Sequence, residues 1–91
     1  MKQVGKLCVL QAARAPDGRM RQAIVISRHF SAKAVVRNRA RRLLRVAIRD
    51  VKAETSEPYW IVLRPRQAMK IAKTTQVTEE LRLLARRTGL F

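Results

Sequence analysis

Arginine dominates the chemistry available to this chain. Arg37, Arg41, Arg45 and Arg49 recur at a spacing of four, with Arg39 and Arg42 between them. A guanidinium group is planar, permanently charged and presents five donors, which suits bidentate contacts to phosphate and stacking on bases. Residues four apart are neighbours on a helix surface, so these arginines repel one another. No Glu interrupts the run from Arg37 to Arg49, whereas an ordinary solvated helix face interleaves the two signs. The missing counter-charge is expected to come from a phosphodiester backbone, whose neutralisation releases condensed counterions.

Other reactive groups are sparse. His29 is the one histidine, with no nearby carboxylate in sequence, and the six Asp and Glu residues are scattered. No acid–base pair, nucleophile–base constellation or metal-ligand spacing emerges, so no catalytic residue and no metal ligand is expected within the protein. Cys8, the one cysteine, cannot form an internal disulfide and reads as a small buried hydrophobe. Of the four aromatic residues, Phe30 lies between Arg28 and His29 on one side and the arginine run on the other. It reads either as a stacking platform for a single strand or as a core anchor. Trp60, inside an apolar run, reads as core.

The composition agrees with a basic, folded binding protein. Ninety-one residues allow one domain over 1–91, and 21 Lys and Arg against six acidic residues give a net charge of +15. Nine of those basic residues, against one carboxylate, lie between Arg28 and Lys52. With 47% hydrophobic residues, the chain is not a disordered basic tail. The longest uninterrupted apolar run, Tyr59–Leu63, is far below the roughly 20 residues of a membrane span. No secretory leader is visible after Met1, so the cytoplasm is the expected location and no membrane partner is expected.

The elements that must hold these residues follow from periodicity. Leu7–Leu10 and Ala23–Ile26 read as strands, and the Pro16-Asp17-Gly18 turn between them predicts a hairpin with a basic loop. Lys33–Lys52 reads as a helix. Val36, Ala40, Leu43, Leu44, Ala47, Ile48 and Val51 fall on one face. Arg37, Asn38, Arg41, Arg42, Arg45, Arg49 and Lys52 gather opposite, with Arg39 at one border. Glu54–Pro58 closes the helix as a loop. Tyr59–Leu63, apolar without alternation, predicts a central strand covered on both faces. Residues from Thr75 or Thr78 to Thr88 predict a last helix with Val77, Leu81, Leu84 and Ala85 inward. Glu79 and Glu80 near its start match the macrodipole, and Gly89 is placed to cap its end. Gln67–Lys73 is open between loop and helical turn.

The segment Lys33-Ala34-Val35-Val36-Arg37-Asn38-Arg39-Ala40-Arg41-Arg42-Leu43-Leu44-Arg45 resembles the Arg-Asn-Arg signature of the bacterial ribonuclease P protein component. The strand before it, the Trp60–Pro65 strand after it and the closing helix stand in the family's order. The resemblance implies the protein subunit of a ribonucleoprotein endonuclease that removes the 5′ leader from precursor tRNA. Catalysis would belong to the RNA subunit and its divalent metal, magnesium, with no cofactor in the protein itself. The partners implied are the catalytic RNA and precursor tRNA, with no obligate protein partner. The implied fold is an α/β (α+β) sandwich like the second domain of ribosomal protein S5. A small central sheet carries a basic crossover helix, with left-handed connectivity in the family, and a C-terminal helix. Lys33, Arg37, Asn38, Arg39, Arg41, Arg42 and Arg45 would face the catalytic RNA, and Arg28, His29 and Phe30 would lie near the wall of a cleft for the leader. Relatives open with an amphipathic helix, which is expected here to be absent or reduced to Met1–Val4.

Two other readings compete. A general structural nucleic-acid binder, ribosome- or nucleoid-associated, would use the same charge. An independent protein nuclease would need a carboxylate cluster or a histidine pair for metal-assisted hydrolysis, and the sequence supplies neither.

Overall fold

Tyr59–Pro65, the most apolar segment, organises the fold. In the computed structural model, which describes residues 1–55 and 57–90, it is an inner strand of the sheet, paired on both sides. The elements in chain order are β1 (Lys2–Val4), β2 (Cys8–Arg14), β3 (Arg21–Ile24), α1 (Ala34–Glu54), β4 (Tyr59–Pro65), a 3-10 helix (Gln67–Ile71) and α2 (Thr74–Thr88). The sheet order is β1-β2-β4-β3. β2 runs antiparallel to β4 with Leu10 opposite Leu63, and β3 runs parallel to β4 with Ala23 opposite Val62.

The expected hairpin of the first two long strands does not form. The chain does reverse at Ala15–Gly18, where Gly18 adopts φ 72° and its N–H donates to Ala15 O at 3.2 Å. β3 then lies one strand-width away from β2, and β4 fills the gap. Burial decides this: β4 has inward Tyr59, Ile61 and Leu63 and takes two partners, while Arg21 and Gln22 of β3 are exposed and suit an edge. Parallel neighbours need a crossover, and α1 provides it.

The sheet is covered on one face only. Cys8, Leu10, Ala12, Tyr59, Ile61 and Leu63 point into a core completed by Leu44, Ile48 and Val51 of α1 and Val77, Leu81 and Leu84 of α2. On the other face Trp60 is 40% exposed. The expectation of a doubly covered strand with Trp60 in the core is therefore corrected. The alternation was masked because the solvent-side residues, Trp60 and Val62, are themselves apolar.

The helices extend slightly beyond their sequence limits, α1 to Glu54 and α2 from Thr74. The closing loop of α1 includes Ser56, which with Phe91 lies outside the described residues. Gly89 ends α2 in the left-handed conformation at φ 79°, and Leu90 N donates to Ala85 O at 2.9 Å, burying the Leu90 side chain. Met1–Val4 holds no reduced helix: Lys2–Val4 pairs with β2 as a strand.

Candidate nucleic-acid interface

Burial of Ala40, Leu43, Leu44, Ala47, Ile48 and Val51 fixes the rotation of α1 about its axis. At about 100° per residue, Asn38, Arg41, Arg42, Arg45, Arg49 and Lys52 then occupy an arc of roughly 100° facing away from the core. Asn38, Arg42, Arg45, Arg49 and Lys52 are exposed and Arg41 half-buried. The Arg41 Nη1 reaches Asn38 Oδ1 at 3.4 Å. Among the described residues the ion pairs are Arg14–Glu57, Arg21–Asp17 and Arg82–Glu54, and none involves a basic residue of 28–52. Glu54, at the end of the same helix, is engaged by Arg82 of α2. The helix thus presents cations without internal compensation.

The structure separates Arg37 and Arg39 from this arc. Arg37 folds back so that Nη1 donates to Ser31 O at 2.9 Å, holding the turn that enters the helix. Ser31 Oγ accepts from Lys33 N at 3.1 Å in the same turn, leaving the Lys33 side chain exposed. Arg39 turns to the other side and closes the end of the 3-10 helix: Nη1 donates to Met69 O at 3.4 Å and Lys70 O at 3.2 Å, and Nη2 to Ala72 O at 2.6 Å. Its sequence position marks it for an anion, but its donors are largely occupied by the protein's own carbonyls.

Arg28 and His29 are exposed, but Phe30 is only 4% exposed. Lys70 Nζ lies 5.4 Å from the Phe30 ring centroid, and Gln67 Nε2 donates to His29 O and Phe30 O at 3.1 and 3.2 Å. Of the two readings of Phe30, the core anchor is the one the structure adopts. The neighbouring open groove of about 480 Å³ is lined by Lys6, His29, Phe30, Arg66 and Gln67 among others, so His29 borders a basic recess. Arg66 Nη1 fixes one wall by donating to Gly5 O at 2.7 Å.

Sequence reasoning missed the open face of the sheet. Trp60 stands there with Arg21 Cζ 6.0 Å from its ring centroid, flanked by Ala23 and Val62. Arg64 lies two pairs further along β4 and bonds Gln11 of β2. The signal was available: Trp60, Val62 and Arg64 share parity on a strand, and a charged residue at the end of that row marks the wet face.

The turn between β1 and β2, which shares Lys6 with the basic recess, carries a different polar device. Glu80 of α2 accepts the backbone N–H groups of Lys6 (2.7 Å), Leu7 (2.9 Å) and Cys8 (3.0 Å), closing the turn between β1 and β2. Cys8 beside it is wholly buried, and its thiol is pushed up to about 12, first by burial and then by the Glu80 charge and hydrogen bond. Such a thiol is a structural group, not a nucleophile. Asp17, at the surface, is held below the usual carboxylate range mainly by the Arg19 N–H. Among the described residues no three His, Cys, Asp or Glu side chains converge as a metal site, and no helix is long and apolar enough to cross a membrane.

A four-stranded sheet backed by two helices, with a cationic arc on the crossover helix that no described carboxylate pairs with, defines a small basic α+β protein whose surface chemistry suits an anion. Comparison with known proteins narrows the class. The profile of the family described as Ribonuclease P matches residues 2–89, and the chain belongs to that family. It is 43% identical over 73 residues to the ribonuclease P protein component of Pelotomaculum thermopropionicum, covering 80% of this chain and 64% of that relative. The chain therefore spans a little under two thirds of that relative's length. The RNase P protein of Staphylococcus aureus superposes with a TM-score of 0.84 at 21% identity, covering 100% of this chain and 83% of that one. The RNase P protein of Thermotoga maritima gives 0.79 at 26% identity, covering 94% and 82%.

Proposed function

We propose that this chain is the RNA-binding subunit of the ribonucleoprotein endonuclease that removes the 5′ leader from precursor tRNA. It acts in the cytoplasm with a catalytic RNA and with precursor tRNA as partners. One observation carries the reading: in a member of this family, the outward arc of α1 displays Arg41, Arg42, Arg45, Arg49 and Lys52, and among the described residues no carboxylate pairs with any of them. The arc and exposed Lys33 and Asn38 would meet the catalytic RNA. Arg37 and Arg39 would act mainly by holding the two flanks of the helix in shape. Arg28 and His29 would border the path of the leader, with Phe30 supporting them from below.

The RNA would perform the hydrolysis. Magnesium is expected in the assembled particle, but the described side chains offer no donor set for it, so its ligands would come from the RNA. The protein's part is positional and electrostatic: cations on a rigid helix lower the repulsion between catalytic RNA and substrate.

Reconstitution tests the proposal. Purified protein mixed with the RNA subunit is expected to restore leader cleavage at low magnesium, and protein alone to cleave nothing. Cleavage by the protein alone would transfer the chemistry to the chain. Equal affinity for duplex DNA, ribosomal RNA and the processing RNA at one salt concentration would instead favour a general nucleic-acid binder.

A further inference from the structure

The cationic surface continues past the signature. An open groove of about 470 Å³ lies between the C-terminal half of α1 and β3, lined by Gln22, Arg45, Arg49, Lys52 and Ala53, with no carboxylate among the described residues on its walls. Arg45, Arg49 and Lys52 follow one another by four and three residues, so they form a single row rising about 10 Å along the helix. Gln22 also borders the recess on the open sheet face lined by Asp17, Arg21, Ala23 and Trp60, where Asp17 pairs with Arg21 at 3.0 Å. The two depressions therefore meet at Gln22. β3 ends the sheet order, so its outer edge is unpaired by any strand among the described residues, and its free backbone groups lie between them.

We infer that Arg45, Arg49, Lys52 and Gln22 form a track for single-stranded RNA, carrying its phosphodiester backbone from α1 over the free edge of β3 to the sheet face, where a base stacks on Trp60. The inference deepens the RNA-binding reading and rests on it. Three features select a single strand. The helix row supplies cations without competing anions. The strand edge offers donors and acceptors to unpaired bases. The end of the path holds an exposed indole beside Arg21, whose charge is already paired with Asp17, and a cationic groove leading to an aromatic platform is the arrangement that single strands use. Duplex RNA would meet the helix row but could not place a base on Trp60.

Fluorescein-labelled decauridine is the probe, with anisotropy measured over a series of potassium chloride concentrations. Arg49→Ala/Lys52→Ala is expected to reduce the slope of log affinity against log salt by about 1.4, two phosphate contacts at roughly 0.7 each. Trp60→Ala is expected to weaken binding about 5- to 150-fold at one salt concentration, with the slope retained. Arg42→Ala, on the arc but outside the groove, is the reference. In the unaltered chain, bound decauridine is expected to slow acetylation of Lys52, which needs no variant to fold. A wild-type slope in the double variant, or equal acetylation of Lys52 with and without RNA, would overturn the track while Arg42→Ala still weakened binding. Failure of the unaltered protein to bind decauridine and to restore leader cleavage would remove the function and the track together.

Discussion

Gly5 lies against the carboxylate of Glu80 so closely that a methyl group on its Cα would stand 2.6 Å from the Glu80 Cδ. The two residues are 75 positions apart, and their approach ties the β1–β2 turn to α2. Glu80 fills the concave side of the turn and accepts three successive N–H groups, from Lys6, Leu7 and Cys8. A turn of this kind gathers backbone donors around an anion, and here the anion belongs to the protein. Any side chain at Gly5 would expel it.

Gly5→Ala is accordingly expected to destabilise the fold by about 1–3 kcal/mol, the cost of leaving part-buried donors unsatisfied. Glu80→Ala should lose a similar amount. If the methyl acts only by displacing the carboxylate, combining the two should cost little more than either alone. Urea denaturation of the two single variants and the double variant checks this cycle.

Cys8 sets a pH dependence at the alkaline end. The unfolded thiol ionises near 9, while the folded one keeps its proton to about 12. Between those values the folded state binds more protons than the unfolded state, so this contribution is fully present below pH 9 and is lost as pH rises toward 12. The expected slope is at most about 1.4 kcal/mol per pH unit, and Cys8→Ala should flatten it in thermal melts. At pH 8 the native thiol should react with iodoacetamide far more slowly than in urea.

Arg39→Ala and Arg42→Ala should have opposite effects. Arg39 closes the end of the 3-10 helix through three carbonyls, and its removal is expected to cost about 1–3 kcal/mol, as for other hydrogen bonds to a charged group. Arg42 is exposed and has no ion pair among the described residues. Its removal should leave the melting temperature unchanged or raise it by easing repulsion, while reducing the salt slope of RNA binding by about 1. Calorimetry and binding on the same two samples separate the roles.

Leu44 and Phe30 belong to the core, at 0% and 4% exposure. Leu44→Ala should destabilise by about 2–5 kcal/mol and Phe30→Ala by about 3–5 kcal/mol. Trp60→Ala, at a site open to water, should cost much less. Chemical denaturation ranks the three, and a Phe30 variant as stable as the parent would return that ring to the surface.

The amphipathic helices were legible in the sequence because their signal is local. Repeats of three and four place Ala40, Leu44, Ile48 and Val51 on one side of α1 and Arg42, Arg45 and Arg49 on the other, whatever the rest of the chain does. The Arg-Asn-Arg signature and the charge concentrated between Arg28 and Lys52 likewise needed no coordinates. Strand neighbours were another matter. The turn at Pro16–Gly18 predicts a reversal but not its partner, and β4, more than 30 residues later, took the place that a hairpin would have filled. Pairing is settled by which strand buries most against the helices, a comparison between distant segments. The same holds for single side chains. Arg39 and Arg42 are alike in sequence, but only the packed 3-10 helix puts three carbonyls within reach of one of them. Trp60 stands outside the core it was expected to join, and Phe30 takes the buried one of its two readings, because exposure depends on which sheet face the helices cover, and no window along the chain contains that choice.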